Sequence, residues 1–172
     1  LLVRRFRQDD LEAFVDYRSD PDVARLQTWE TPYSRAQAEL FLKNDAAIRP
    51  GQRGKWLQLA IEERATRALC GDCGIHVITE QPRTAEVGVT LASQFQGKGI
   101  ATEALTASLD WLFGDLQIHR VFAQADDRNH RVQRLLDGLN FRLEGRFIEA
   151  DWFKGEWTTL RIYALLREDW RR

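Results

Sequence analysis

Methionine is absent from this 172-residue sequence, cysteine occurs twice and proline four times, and neither charge sign dominates, with 25 basic against 26 acidic side chains. Each shortage excludes something. Two cysteines cannot build the disulfide framework of a small secreted domain, and their scarcity fits a reducing compartment. A formal charge of −1 offers no long-range attraction to nucleic acid or an anionic membrane, whose non-specific binders carry a clear basic excess. Nowhere do apolar residues run to the roughly 18 that a spanning helix needs. The opening LLVRRFRQDD has three apolar residues before charge intervenes, which is neither a secretory signal nor an anchor. A cytoplasmic protein without a nucleic-acid or membrane partner is expected. The missing methionine includes the initiator, so a residue or more is expected to precede Leu1.

What is present describes one α/β domain over 1–172. A chain of this length buries roughly 70 per cent of its unfolded surface, enough for a core that needs no structural metal. Residues 2–6 suit an edge strand. Asp9 and Asp10 then introduce a helix with Leu11, Phe14, Val15 and Arg18 at helical spacing, and Asp20-Pro21 breaks it into a short helical stretch toward Leu26. Ser34 and Gln37 have the spacing of a capping box, ahead of a stripe of Ala38, Phe41, Leu42 and Ala46. From Lys55 the pattern changes to strands at 56–61, 69–78 and 86–91, joined by short turns that imply an antiparallel meander. Helical spacing returns from Ile100 through Phe113. A strand at 120–125 follows, then a helix opened by Asn129 and ending near Gly138, and two strands at 141–153 and 157–165 joined by Lys154-Gly155. The strand ending at Leu91, the helix from Ile100 and the strand from Arg120 make a β-α-β unit with parallel strands, and a ligand site belongs at its C-terminal strand edge.

At that edge the sequence reads Gln94-Phe95-Gln96-Gly97-Lys98-Gly99-Ile100-Ala101-Thr102. Two glycines spaced by one residue, after a strand and opening a helix, let backbone amides approach an anion and aim the positive helix end at it. This is a pyrophosphate cradle, to which Lys98 adds charge and Thr102 a hydroxyl donor. It is not a Walker loop, and Thr102 stands where a dinucleotide fingerprint needs its third glycine or alanine. An ordinary tight turn is the competing reading of the motif alone.

Taken with the strand before it and the strand and N-capped helix after it, Q-x-x-G-x-G resembles the cofactor site of the GNAT superfamily of N-acetyltransferases. Residues 85–91 resemble that family's central strand, 96–104 its cradle and 126–141 its cofactor-side helix. Residues 153–157 and 163–170 resemble the C-terminal hairpin of the branch that contains ribosomal-protein N-terminal acetyltransferases. The resemblance implies a mixed, mostly antiparallel sheet of about seven strands flanked by about four helices, with a splayed central strand pair at Val89 and Val121. It implies acetyl-coenzyme A as cosubstrate and no metal. The cradle residues Gln96 to Thr102 would hold the pyrophosphate, and backbone at Val89 and Leu91 together with Asn129 would hold the pantetheine arm. An amide near Leu91 would face the oxyanion. Glu86 would act as base, against the plainer reading of a solvated strand glutamate. Asn129 has its own plain reading as a helix N-cap. The family's usual acids are missing, since Val132 and Leu136 occupy the positions of a serine and a tyrosine, while Thr159 replaces an aspartate and Asn140 a glycine.

The remaining features have several readings. Cys70 and Cys73 have C-x-x-C spacing, but residues three apart in an extended strand face opposite sides, so packed thiols are expected rather than a redox pair or half a zinc site. His76, His119 and His130 fall at no ligand spacing. Trp29, Trp152 and Trp157 are expected either in the core or around an amine pocket, with Trp29, Glu30 and Tyr33 the substrate-binding set that the resemblance suggests. The function expected is direct acetyl transfer in a ternary complex to a primary amine, either a protein N-terminus or a small molecule. A cofactor-binding protein of this fold without transfer activity and a phosphate-recognising structural module are the rivals. A monomer and a homodimer are equally compatible.

Overall fold

The computed structural model describes residues 1–170, so the last two positions of the expected domain 1–172 lie outside the described residues. The helical third of the chain contains α1 (Leu11–Ser19), the short α2 (Pro21–Ala24) and α3 (Arg35–Ala46). Asp20 caps α2 by accepting from the Asp22 amide ahead of a proline at the first helical position, where its missing amide costs nothing. Ser34 and Gln37 form the expected capping box at α3. Then come β2 (Trp56–Glu62), β3 (Leu69–Val77), β4 (Thr84–Leu91), α4 (Ile100–Gly114), β5 (Arg120–Asp126), α5 (His130–Gly138), β6 (Arg142–Phe153) and β7 (Glu156–Leu166), with β1 (Leu2–Arg4) at the N-terminus. The edge strand expected at 2–6 is thus two residues shorter. Arg4 holds this end in place, forming a bidentate pair with Asp10 and a 2.7 Å ion pair with the buried Glu62.

The seven strands form one sheet in the order β1-β2-β3-β4-β5-β7-β6. Every pairing is antiparallel except β4 with β5, the two strands joined by the α4 crossover. On one face, Leu105, Leu109, Leu112 and Leu136 from α4 and α5 pack on Cys73, Ile75, Val87, Val121 and Tyr163. On the other, Leu11, Phe14, Tyr17 and Ala38 from the first helices pack on Ala60 and Leu69. Each fully buried side chain of this size contributes about 1.5–3 kcal/mol relative to exposure.

Two strand details depart from the sequence reading. In β6 the register slips between Leu143 and Gly145 and again between Phe147 and Asp151, with Glu149 at φ 47°, so the uninterrupted strand expected at 141–153 is bulged. In β3 a bulge falls opposite Ile61 and Glu62, which pair with Gly71 and Leu69 and leave Cys70 unpaired. The extra residue breaks the alternation, and Cys70 and Cys73 join the same core cluster instead of facing opposite sides. Gly71 makes the bulge possible. At φ 154° it lies so close to β4 that a Cβ would sit 2.0 Å from the Thr90 carbonyl oxygen and 2.8 Å from the Leu91 Cα. Because both obstacles are backbone, Gly71→Ala is expected to cost about 3 kcal/mol, read as a fall in the urea midpoint with little change in slope.

Candidate functional site

Strands β4 and β5 share three register pairs, Thr84↔Arg120, Ala85↔Val121 and Glu86↔Phe122. Beyond them β4 continues on β3 to Leu91 and β5 on β7 to Asp126, so the two central strands part. The splay that the resemblance implied is present. A cavity of about 560 Å³ fills the gap and crosses the sheet. Leu105 of α4 with Val132, Leu135 and Leu136 of α5 line it on one face. Arg18, Trp29, Phe41, Trp56 and Gln58 line it on the other.

Glu86 lies at the neck, in the last pair before the strands diverge. Its carboxylate accepts from Gln124 Nε2 at 3.0 Å. Desolvation raises its pKa above the usual carboxylate range, opposed by the Gln124 hydrogen bond and the nearby His76. Along the same sheet face the cross-strand pairs run His76↔Glu86, Gly74↔Gly88 and Asp72↔Thr90. Neither glycine carries a side chain between the two acids: a Cβ at Gly88 would meet nothing within 4 Å, whereas the Gly74 position is covered by the Gln58 and Trp56 side chains. Glycine within a strand marks a close approach by another group, a signal present in the sequence itself.

At the far end of β4, a single turn at Ser93–Phe95 leads through Gln96 to Gly99 into α4. Gly97 and Gly99 have φ 74° and 77° with open space where a Cβ would be, so backbone conformation rather than crowding requires glycine there. The helical ladder begins with the Glu103 amide donating to the Gly99 carbonyl. The amides at 100–102 are therefore those of the positive helix end, which attracts an anion. Gln96 is a strut: its Nε2 donates to the Leu91 carbonyl at 3.0 Å and its Oε1 accepts from Arg131. Arg131, absent from the sequence-derived site, thus joins Lys98 in adding positive charge to the cradle. Cradle, open β4 backbone and cavity fit a pyrophosphate with an extended arm.

The sequence-derived residues are distributed unevenly. Glu86, Val89, Asn129 and Trp29 line the cavity, whereas Leu91 and the cradle from Gln96 to Thr102 lie beyond it. Asn129 caps α5, accepting from the Val132 amide at 3.2 Å. Its loop is pinned by Asp127 pairing with Arg146 and Arg161 and by Arg128 pairing with Asp126 and Glu156. Tyr33 is buried in the smaller cluster and Glu30 is exposed, so neither lines the cavity with Trp29. Trp152 and Trp157 occupy neither the core nor the cavity wall: both are more than half exposed and stack edge to face on the hairpin. The hairpin does reach across the opening, where Lys154 Nζ donates to the carbonyls of Ala24 at 2.9 Å and Trp29 at 2.8 Å.

Arg18 and Asp72 were missed as site residues. Arg18 is 5 % exposed and Asp72 3 %. Tyr17 donates its hydroxyl to Asp72, and burial raises the Asp72 pKa while Arg18 pulls it down. The available signal was an arginine on the apolar stripe of α1, since charges are almost never buried without a partner. The Cys70 and Cys73 thiols are both pushed up by burial, Cys73 to about 12. Native protein is therefore expected to leave a thiol-disulfide reagent such as DTNB unreacted over minutes at pH 7.5 and to consume two equivalents in guanidinium.

Comparison with known proteins agrees with this geometry. Residues 1–142 match the family described as Acetyltransferase (GNAT) domain, and the chain belongs to that family of N-acetyltransferases. It is similar to the uncharacterized N-acetyltransferase p20 of Bacillus licheniformis, with 28 % identity over 99 % of this chain and 94 % of p20. It is also similar to the ribosomal protein uS5-alanine N-acetyltransferase of Escherichia coli, with 33 % identity over 49 % of this chain and 43 % of that enzyme. The fold superimposes on the crystal structure of spermidine N-acetyltransferase from Vibrio cholerae in complex with CoA and spermine, with a TM-score of 0.83, 21 % identity, and 98 % and 96 % of the two chains covered.

Proposed function

We propose that this protein transfers an acetyl group directly from acetyl-coenzyme A to a primary amine, on a protein N-terminus or a small molecule, within a ternary complex. The observation that carries this reading is the cavity that crosses the sheet where β4 and β5 part. A cofactor arm entering from the α4 and α5 face and an amine entering from the face of the first helices meet beside Glu86. Bound acetyl-coenzyme A supplies a thioester, whose acetyl carbon bonds to the amine nitrogen as its bond to sulfur breaks.

The amides of Gly97 to Thr102 and the charges of Lys98 and Arg131 hold the pyrophosphate. The backbone of β4 at Val89 and the Leu91 amide, with Asn129 across the gap, pair with the pantetheine amides as an added strand would, while the Leu91 carbonyl stays with Gln96. An amide near Leu91 faces the developing oxyanion. Glu86 takes the proton that the incoming ammonium must lose, and its raised pKa brings it nearer to that of a base working at neutral pH. Val132 and Leu136 line the cavity as apolar groups and donate no proton, so the departing thiolate takes its proton from solvent.

Binding and turnover are separable. Saturating acetyl-coenzyme A is expected to raise the Tm and to give a saturable calorimetric isotherm, and a panel of amines is expected to release free thiol. Glu86→Gln is expected to keep cofactor affinity and lower kcat/KM about 100-fold. In wild type kcat/KM falls as pH drops through the raised carboxyl pKa, because the protonated acid accepts no proton, and this acid limb is expected to disappear in the variant. Binding without turnover on any amine supports the cofactor-binding rival, and no binding at all removes both readings.

A further inference from the structure

Among the described residues, two buried side-chain polar atoms have no hydrogen-bond partner, Arg18 Nε and Gln58 Oε1, and both residues line the cavity that crosses the sheet. One is a donor and the other an acceptor. A buried donor or acceptor left unmade costs far more than a made bond returns, so two of opposite kind on one cavity wall suit a ligand that carries both complements. A residue in an extended peptide does, because its own N–H and carbonyl point to the same side of the chain.

The surroundings hold these two groups ready. The Arg18 guanidinium carbon lies 4.0 Å from the Trp29 ring centroid, 4.4 Å from that of Phe14 and 4.7 Å from that of Phe41, an aromatic seat that fixes its plane and offsets part of its burial. Its contact with Asp72 is 3.5 Å, at the limit of a hydrogen bond, and its Nε has no partner at all. Gln58 pairs in register with Gly74, which in turn faces Gly88, so its amide stands over the stretch of sheet that carries no side chains. Asp72 and Glu86 are separated by four residues along the strands, or about 13 Å. Gln58 stands over the Gly74↔Gly88 pair, two residues or about 7 Å from Glu86, so an amine at Glu86 and main chain at Gln58 and Arg18 belong to one acceptor about two to three residues long.

Building on the acetyl-transfer reading, we propose that Arg18 and Gln58 form a backbone clamp that recognises the main chain of one extended residue near the N-terminus of the acceptor, Arg18 Nε donating to its carbonyl and Gln58 Oε1 accepting from its N–H. The clamp selects for main chain rather than for a side chain.

The test compares kcat/KM, followed by thiol release, for the tripeptide Ala-Ala-Ala amide, hexylamine and spermidine, in wild type and in Arg18→Lys and Gln58→Leu. Coenzyme A binding is measured by calorimetry on each protein. Wild type is expected to favour the tripeptide by about 100-fold over either amine lacking peptide units. Each substitution is expected to lower that ratio about tenfold or more while the coenzyme A isotherm stays unchanged. Gln58→Leu removes no charge and keeps the test valid where Arg18→Lys folds poorly. Spermidine or hexylamine matching the tripeptide in wild type overturns the clamp and leaves acetyl transfer standing, as does a ratio untouched by both substitutions. Absence of coenzyme A binding and of turnover on all three amines overturns the transfer reading and the clamp with it.

Discussion

Backbone amides and carbonyls in a strand interior must find partners, yet β4 leaves β5 after Glu86 and runs to Leu91 with no strand on that side. Each of the two strands is well anchored on its outer side. β3 accompanies β4 from Ala85 to Leu91, and β7 accompanies β5 along its full length. The bulge at Gly71 brings β3 against the Thr90 and Leu91 backbone, which ties the free half of β4 away from β5. A sheet held firmly at both sides and parted in the middle becomes a passage between its two faces.

The two mouths of that passage differ in chemistry. The mouth toward α4 combines the positive end of a helix with Lys98 and Arg131, while the wall beside it is made of Leu105, Val132, Leu135 and Leu136. An anionic head and an apolar arm match those surroundings in that order. The mouth toward α1 contains the charged groups that are expensive to bury, Asp72 and Arg18, with Glu86 at the neck. Proteins keep such groups out of water only with partners. Here the partnering is incomplete, since the Arg18–Asp72 contact is long and Gln58 Oε1 is bare.

Much of the fold was legible because it rests on local signals. The capping box of Ser34 and Gln37, the proline after Asp20, the Lys154-Gly155 turn and the change from period 3.6 to period 2 at Lys55 each placed an element within a few residues. The crossover between Leu91 and Arg120 predicted the parallel pairing of β4 with β5. Cradle and Glu86 could be singled out because their residue types and order resemble a family. The β3 bulge was not legible, because it depends on how closely β4 approaches Gly71, a long-range property, and the facing assigned to Cys70 and Cys73 failed with it. Tyr33 and Trp29 are only four residues apart, yet packing against Phe14 takes one into the core while the other reaches the cavity. Arg131 and Gln124 gain their roles from partners more than thirty residues away, at Gln96 and Glu86.

The central claim is that the unpaired half of β4 and the start of α4 together form the cofactor seat. Hydrogen–deuterium exchange with and without coenzyme A tests it most directly, because it reads the backbone amides themselves. The account predicts slowed exchange concentrated at 87–91 and 97–102, with β1, β2 and the outer hairpin unchanged. Protection confined to other segments, or none at 87–91 under saturating coenzyme A, would contradict it.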